Sequence, residues 1–288
     1  MSTNIVVTGS NGQLGSCIQL IAQGYKELNI DFFSSSELDI TSEEQISSLF
    51  TQTSIDYVIN CAAYTNVEQA EKEPEKAYQV NTEGVRLLAE ACKENDAVLI
   101  HISTDYVFDG SKSTPYTEED IPNPINEYGK SKLAGEEFVQ QILDQYFIIR
   151  TSWLYSQFGK NFFKTILEKS KTQDKLTIVD SEIGTPTNAN DLAKFIFNLI
   201  CLNSKDYGIY HYSNEGQATW YDFAYKILDI SGKLANIKLV NTDYYPTFAK
   251  RPRYSVLDKS LIFGTFNSEI SSWEKSLAEC LKGLKGRS

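Results

Sequence analysis

The sequence predicts an α/β protein, a doubly wound parallel sheet with a smaller mixed α/β C-terminal lobe, and three observations predict it. An apolar strand, Asn4 to Thr8, runs straight into glycines at 9, 12 and 15 and then into the helix-spaced apolar residues Leu14, Cys17, Ile18 and Ile21. Strand and helix signals keep alternating through the first 150 residues, which is the pattern of a parallel sheet with helices on both faces. The 288 residues give material for one large or two modest domains with a sizeable core.

Each element follows from local chemistry. The opening strand is apolar at three successive positions, Ile5 to Val7, as suits a strand buried on both faces. Glycines let the chain turn tightly and approach a pyrophosphate, and the helix behind them offers unpaired N–H groups to phosphate oxygens. The spacing, Gly-x-x-Gly-x-x-Gly, is a variant of the dinucleotide-binding fingerprint. Ile30 to Phe33 reads as the second strand, Thr41 or Ser42 caps a helix through Ile46, Leu49 and Phe50, and Asp56 to Asn60 is the third strand. Pro74 opens a long helix with apolar residues at 77, 80, 85, 87, 88 and 91, and Val98 to Ile102 returns as a strand. Beyond Trp153 come a helix around Asn161 to Lys171, a strand at Leu176 to Val179 and a helix from Asn190 to Leu202. A strand from Gly208 to Tyr212 follows, then a helix opened by Thr219 with Asp222 three residues on, a pair suited to a capping box. The expected division is 1–152 for a dinucleotide-binding domain and 153–288 for a substrate lobe.

Composition excludes several function classes. The longest apolar run, Phe195 to Leu202, contains Asn198 and is far short of the roughly 20 residues of a membrane span. The first strand begins at the N-terminus with no signal core ahead of it, and the five cysteines are scattered without a Cys-x-x-Cys. Both features fit a reducing cytoplasm rather than disulfides, structural zinc or export. A formal net charge of −11 disfavours nucleic acid and anionic membrane as partners. His101 and His211 sit in apolar strand patterns and read as packed residues.

Tyr128 and Lys132 stand at i and i+4, on one face of a helix. An ammonium beside the phenol favours its ionised form, and a tyrosine tuned in this way exchanges protons with a carbonyl or alcohol oxygen. Ligands of doubly wound sheets bind beyond the carboxyl ends of the strands. The segments that matter are therefore Gly9 to Gly15, Asn60 to Glu68, Ser103 to Gly110 and Thr151 to Tyr155.

Those segments carry a family resemblance. Thr-Gly-Ser-Asn-Gly-Gln-Leu-Gly (8–15), Asn-Cys-Ala-Ala-Tyr-Thr-Asn-Val-Glu-Gln-Ala-Glu (60–71), Ser-Thr-Asp-Tyr-Val-Phe-Asp-Gly (103–110), Tyr-Gly-Lys-Ser-Lys-Leu-Ala-Gly-Glu (128–136) and Arg-Thr-Ser-Trp-Leu-Tyr (150–155) resemble the dTDP-4-dehydrorhamnose reductases. These are Rossmann-type extended short-chain dehydrogenases. The similarity continues through Gly-Thr-Pro-Thr (184–187) and Arg-Pro-Arg-Tyr-Ser-Val-Leu-Asp (251–258). It implies reduction of the C4 ketone of dTDP-4-dehydro-L-rhamnose by a nicotinamide cofactor, with Tyr128 as general acid, Lys132 on the nicotinamide ribose and Thr104 on the reacting oxygen. Gly9, Asn11, Gly12, Gln13, Leu14, Gly15, Asp39, Ile40, Ala62, Ala63 and Tyr64 join Tyr128 and Lys132 as the implied cofactor residues. Thr65, Val67, Thr104, Asp105, Tyr106, Trp153, Arg251 and Arg253 are the implied contacts to the nucleotide-sugar. Part of the second half is expected to return to the first sheet, and Asn81 to brace backbone. The acidic magnesium ligand expected after the glycine loop is Cys17 here, so no metal is expected. Tyr254 stands where the family more often has asparagine.

Phe33-Ser-Ser-Ser36 at the end of the second strand carries neither the carboxylate of an NAD site nor the arginine of an NADP site. NADPH is therefore the expected cofactor, with a mild preference and NADH also used. The alternative readings are a related nucleotide-sugar epimerase and a non-catalytic regulatory subunit of the methionine adenosyltransferase type. The sequence leaves oligomeric state open and is compatible with a homodimer.

Overall fold

The computed structural model describes residues 2–244 and 246–285. The first half builds β1 (Thr3–Thr8), α1 (Gln13–Ala22), β2 (Leu28–Phe33), α2 (Glu43–Gln52), β3 (Tyr57–Asn60), the short α3 (Val67–Ala70), α4 (Pro74–Tyr78), α5 (Gly84–Glu94), β4 (Val98–Thr104), α6 (Glu127–Ile142) and β5 (Tyr146–Thr151). The second adds β6 (Leu154–Tyr155), α7 (Phe162–Lys169), β7 (Lys175–Val179), β8 (Ile183–Gly184), β9 (Thr187–Asn188), α8 (Ala189–Cys201), β10 (Gly208–His211), β11 (Ala218–Thr219), α9 (Trp220–Ile230), β12 (Lys238–Thr242), α10 (Ser260–Phe266) and α11 (Trp273–Lys285).

A six-stranded sheet in the order β10-β5-β4-β3-β1-β2 forms the centre, and every adjacent pair in it is parallel. Alternate residues feed two cores, as the two-residue period of a strand requires. Ile5, Val7, Ile59, Ile100, Phe147 and Ile149 pack with α1 and α8, while Val6, Val58, Leu99 and Ile148 pack with residues of α2, α5 and α6. Each such side chain taken from water stabilises the fold by roughly 1.5–3 kcal/mol.

The differences from the sequence reading have local causes. β2 begins at Leu28, before the expected Ile30, because parallel pairing of Thr3 with Leu28 and Asn4 with Asn29 extends it through half-buried Leu28 and exposed Asn29. The long helix after Pro74 is broken by a π-helical turn over Gln79–Glu83. That turn swings Asn81 inward, where its Oδ1 accepts from Tyr64 N at 2.8 Å and its Nδ2 donates to Tyr64 O and Ser131 Oγ, each at 3.0 Å. Asn81 thus braces backbone, as expected.

The second half is divided between two layers. α8 packs against α1 and β10 pairs with β5, so both belong with the central sheet despite lying beyond residue 152. What remains is a smaller lobe built on the parallel β7–β12 pair, with Phe163, Ile166, Leu176, Phe223, Ile227 and Leu277 at its core. No helix among the described residues is long and apolar enough to cross a membrane.

Candidate active site

The carboxyl ends of β1, β3, β4 and β5 open into a 570 Å³ cavity between the sheet and the lobe. Of the residues singled out from sequence, it gathers Asn11, Gly12, Gln13, Leu14, Ala63, Thr65, Val67, Thr104, Asp105, Tyr106, Tyr128, Lys132 and Trp153. Gly9 and Gly15 shape this end from behind. Gly9 has φ +64°, and a Cβ there would lie 2.6 Å from Ala62 N; one on Gly15 would lie 2.6 Å from Gly9 O. The N-cap of α1 is Gly12, so no side chain caps its first turn, and those N–H groups remain available to an anion. These features fit the pyrophosphate of a dinucleotide.

Tyr128 enters from the first turn of α6, whose N-cap Asn126 accepts from Gly129 N at 2.8 Å. Thr104 stands beside its phenol, and its ring meets Tyr106 edge-on with centroids 5.8 Å apart. Burial dominates its acidity and pushes the phenol up to about 12, only partly offset by Thr104. The expected lowering by Lys132 is absent from this arrangement. Lys132, 1% exposed, instead turns toward β4, donating from Nζ to Ile102 O at 2.7 Å and lying 3.2 Å from His101 Nε2. Burial pulls its ammonium down to about 8.

Asp105 is buried at the end of β4, where desolvation raises its carboxyl to about 7. Oδ1 accepts from Thr104 Oγ1 at 3.1 Å, and Oδ2 has no hydrogen-bond partner among the described residues. Trp153 has φ +45°, a costly conformation for a bulky residue. Its surroundings impose it: Thr187 N donates to Trp153 O at 3.2 Å, and the indole lies where a Cβ on Gly184 would be, 2.5 Å from its Cε2. Trp220 stacks on it at 3.6 Å between ring centroids, inclined by 6°, and donates from Nε1 to Glu182 Oε2 at 2.9 Å.

Other expected residues lie outside the cavity lining. Ala62 and Tyr64 are held through their backbone, Ala62 N donating to Asn60 Oδ1 at 3.1 Å and Tyr64 N to Asn81 Oδ1 at 2.8 Å. Ile40 is buried beneath Gly84, and the exposed Asp39 accepts from Thr41 N at 2.9 Å. Arg251 stands beside Tyr106, with Nη2 donating to Glu68 Oε1 at 3.1 Å, while Arg253 is exposed and offers its backbone to Gly110. Tyr254 is buried in a cluster with Val107, Phe108 and Tyr116. At the tip of β2, Glu37 folds back onto the serines, its Oε2 accepting from Ser34 N at 2.8 Å and Ser34 Oγ at 2.6 Å. A carboxylate therefore does reach the strand end, which the sequence reading had left uncharged. Cys17 is fully buried in α1, and among the described residues no three His, Cys, Asp or Glu side chains are grouped to hold a metal ion.

Sequence reasoning missed Trp220 and Lys160, both in the lining. Trp220 follows the capping residue Thr219, a position that signals a helix start and nothing about a pocket. Lys160 follows Gly159, whose φ of +60° brings the loop against Gln13.

A glycine turn ahead of an uncapped helix, with a Tyr-x-x-x-Lys helix and a strand-end threonine in the same cavity, defines an extended short-chain dehydrogenase/reductase. Residues 3–285 match the family model described as the RmlD substrate binding domain. The chain is 42% identical to a dTDP-4-dehydrorhamnose reductase of Aggregatibacter actinomycetemcomitans over 286 residues, covering 95% of this chain and 96% of that one. The crystal structure of a dTDP-4-dehydrorhamnose reductase from Clostridium acetobutylicum superposes with a TM-score of 0.94 at 39% identity, over 98% of this chain and all 100% of that one. One from Bacillus anthracis, solved in complex with NADP, gives 0.93 at 39% identity over the same shares. The chain belongs to the dTDP-4-dehydrorhamnose reductase family.

Proposed function

We propose that this chain reduces the C4 ketone of dTDP-4-dehydro-L-rhamnose to dTDP-L-rhamnose with NADPH or NADH, as a step of dTDP-rhamnose biosynthesis. The observation that carries the reading is the Tyr128 phenol, beside Thr104 in the cavity that also holds the α1 N-terminus and Lys132. The cofactor, when bound, supplies the hydride. The first turn of α1 binds its pyrophosphate, and Lys132 binds the nicotinamide ribose. Tyr128 gives its proton to the C4 oxygen, and Thr104 holds that oxygen against the phenol. A phenol held up at about 12 is fully protonated near neutrality and so is loaded for the reductive direction. Trp153, Trp220, Tyr106 and Val67 offer apolar faces to a deoxysugar.

The test follows NADPH absorbance with enzymatically prepared dTDP-4-dehydro-L-rhamnose. Tyr128→Phe is expected to keep cofactor affinity within a few-fold and to lower kcat by roughly 10²–10⁴, the usual cost of losing a general acid. Retained turnover would remove Tyr128 from the mechanism. Release of oxidised cofactor at each turnover separates this activity from an epimerase, which retains its NAD.

A further inference from the structure

Behind Lys132 runs a buried chain of polar side chains whose hydrogen bonds can be satisfied in one way. Asn60 Oδ1 lies 3.1 Å from Ala62 N and 2.7 Å from Thr8 Oγ1. A backbone N–H only donates, so this corner of the amide must be the oxygen. Asn60 Nδ2 then faces His101 Nδ1 at 3.1 Å and donates to it. A neutral imidazole carries one hydrogen, and with Nδ1 accepting, that hydrogen is on Nε2. Nε2–H points at Lys132 Nζ, 3.2 Å away. An ammonium has three donors and no lone pair and cannot accept this bond; an amine can, while still donating to Ile102 O at 2.7 Å.

We propose that the Thr8–Asn60–His101 chain holds Lys132 as an uncharged amine in the cofactor-free enzyme at mildly alkaline pH, so that dinucleotide binding takes up one proton from solvent at Nζ. His101 is the positioning residue. Once Nζ is protonated it loses its bond from Nε2–H and is free to turn from β4 toward the ribose hydroxyls. The inference rests on the reading that Lys132 meets the cofactor.

The charges around Nζ are consistent with it. Glu136, one turn along α6, is committed to buried Arg150, which donates to it from Nη2 at 2.6 Å and from Nε at 3.1 Å, and to Ser103 Oγ. Cys61, at the end of β3, stays a thiol because burial pushes it up to about 12. Tyr128 is a neutral phenol for the same reason. Burial holds His101 well below its ordinary value, so the ring does not provide the proton itself.

The experiment is calorimetric titration of NADP⁺ into the intact protein at about pH 9, in two buffers of different ionisation enthalpy, where an ordinary lysine near 10.4 is charged and cofactor phosphates are fully ionised. Wild type is expected to take up more than about half a proton per cofactor, with the uptake fading by about pH 7, where a lysine near 8 is already charged. His101→Gln, which can present a carbonyl oxygen to an ammonium, should largely abolish the uptake. Asn60→Asp should do the same by different chemistry, since its second oxygen accepts from Nδ1–H and frees Nε2 to accept. Wild-type binding without uptake at pH 9 overturns the proposal, and so does uptake unchanged in both variants. The wild-type measurement stands alone should a variant fail to fold. Lys132→Met separates the two readings: undiminished affinity and undiminished uptake in that variant would overturn both, whereas lost affinity with no wild-type uptake would overturn the inference alone.

Discussion

Glu37 shows how a single carboxylate can bear on cofactor choice. A ribose 2′-hydroxyl can donate to Oε2, whereas a 2′-phosphate beside it is repelled. Glu37→Gln is expected to raise the ratio of kcat/KM for NADPH over NADH by a few-fold, read by steady-state kinetics with both cofactors. An unchanged ratio would mean that Glu37 does not face the ribose. The sequence concealed this residue because its side chain folds back three positions to Ser34. Tyr128 and Lys132 were legible for the opposite reason, their spacing alone placing both on one helical face. Arg251 was legible as a cation but not as the partner of Glu68, a contact between segments far apart in the chain.

Among the elements, strands and helix starts were the most readable, since each announces itself within a few residues. The capping box at α9 is as expected: Thr219 Oγ1 accepts from Asp222 N at 3.0 Å, and Asp222 Oδ2 accepts from Thr219 N at 2.9 Å. Thr219→Ala removes the threonine half of this exchange and should cost about 1 kcal/mol in chemical denaturation. Because Trp220 is the next residue, the same substitution should raise the KM for the nucleotide-sugar more than that for the cofactor. Equal effects on both would confine the cap to stability. The π turn at Gln79–Glu83 was not readable, since the residues between Val80 and Val85 are polar or glycine and carry no apolar spacing to read.

For the whole molecule, the expected cut at 152 divides the chain but not its sheet. Separating the halves would strip β10 from β5 and α8 from α1. It would also take His211, 3.5 Å from Arg150 Nη1, away from the buried Arg150–Glu136 pair. A fragment of residues 1–152 is therefore expected to expose an unpaired strand edge and to aggregate, judged by size-exclusion chromatography and circular dichroism. A monodisperse, cooperatively unfolding fragment would show that β10 is dispensable. The parallel sheet was legible from alternating signals, whereas the edge strand that closes it was supplied by the family resemblance, because nothing in Gly208 to His211 names the strand it will join.

The Trp153–Trp220 stack forms part of the cavity wall on the side of the lobe. Transition dipoles so close couple, so the pair should produce an exciton couplet in circular dichroism that depends on the angle between the rings. The third tryptophan, Trp273, meets Phe223 edge-on at 6.0 Å. The enzyme thus carries its own optical gauge of this wall of the cavity, one that needs no label and responds where the sugar is expected to bind.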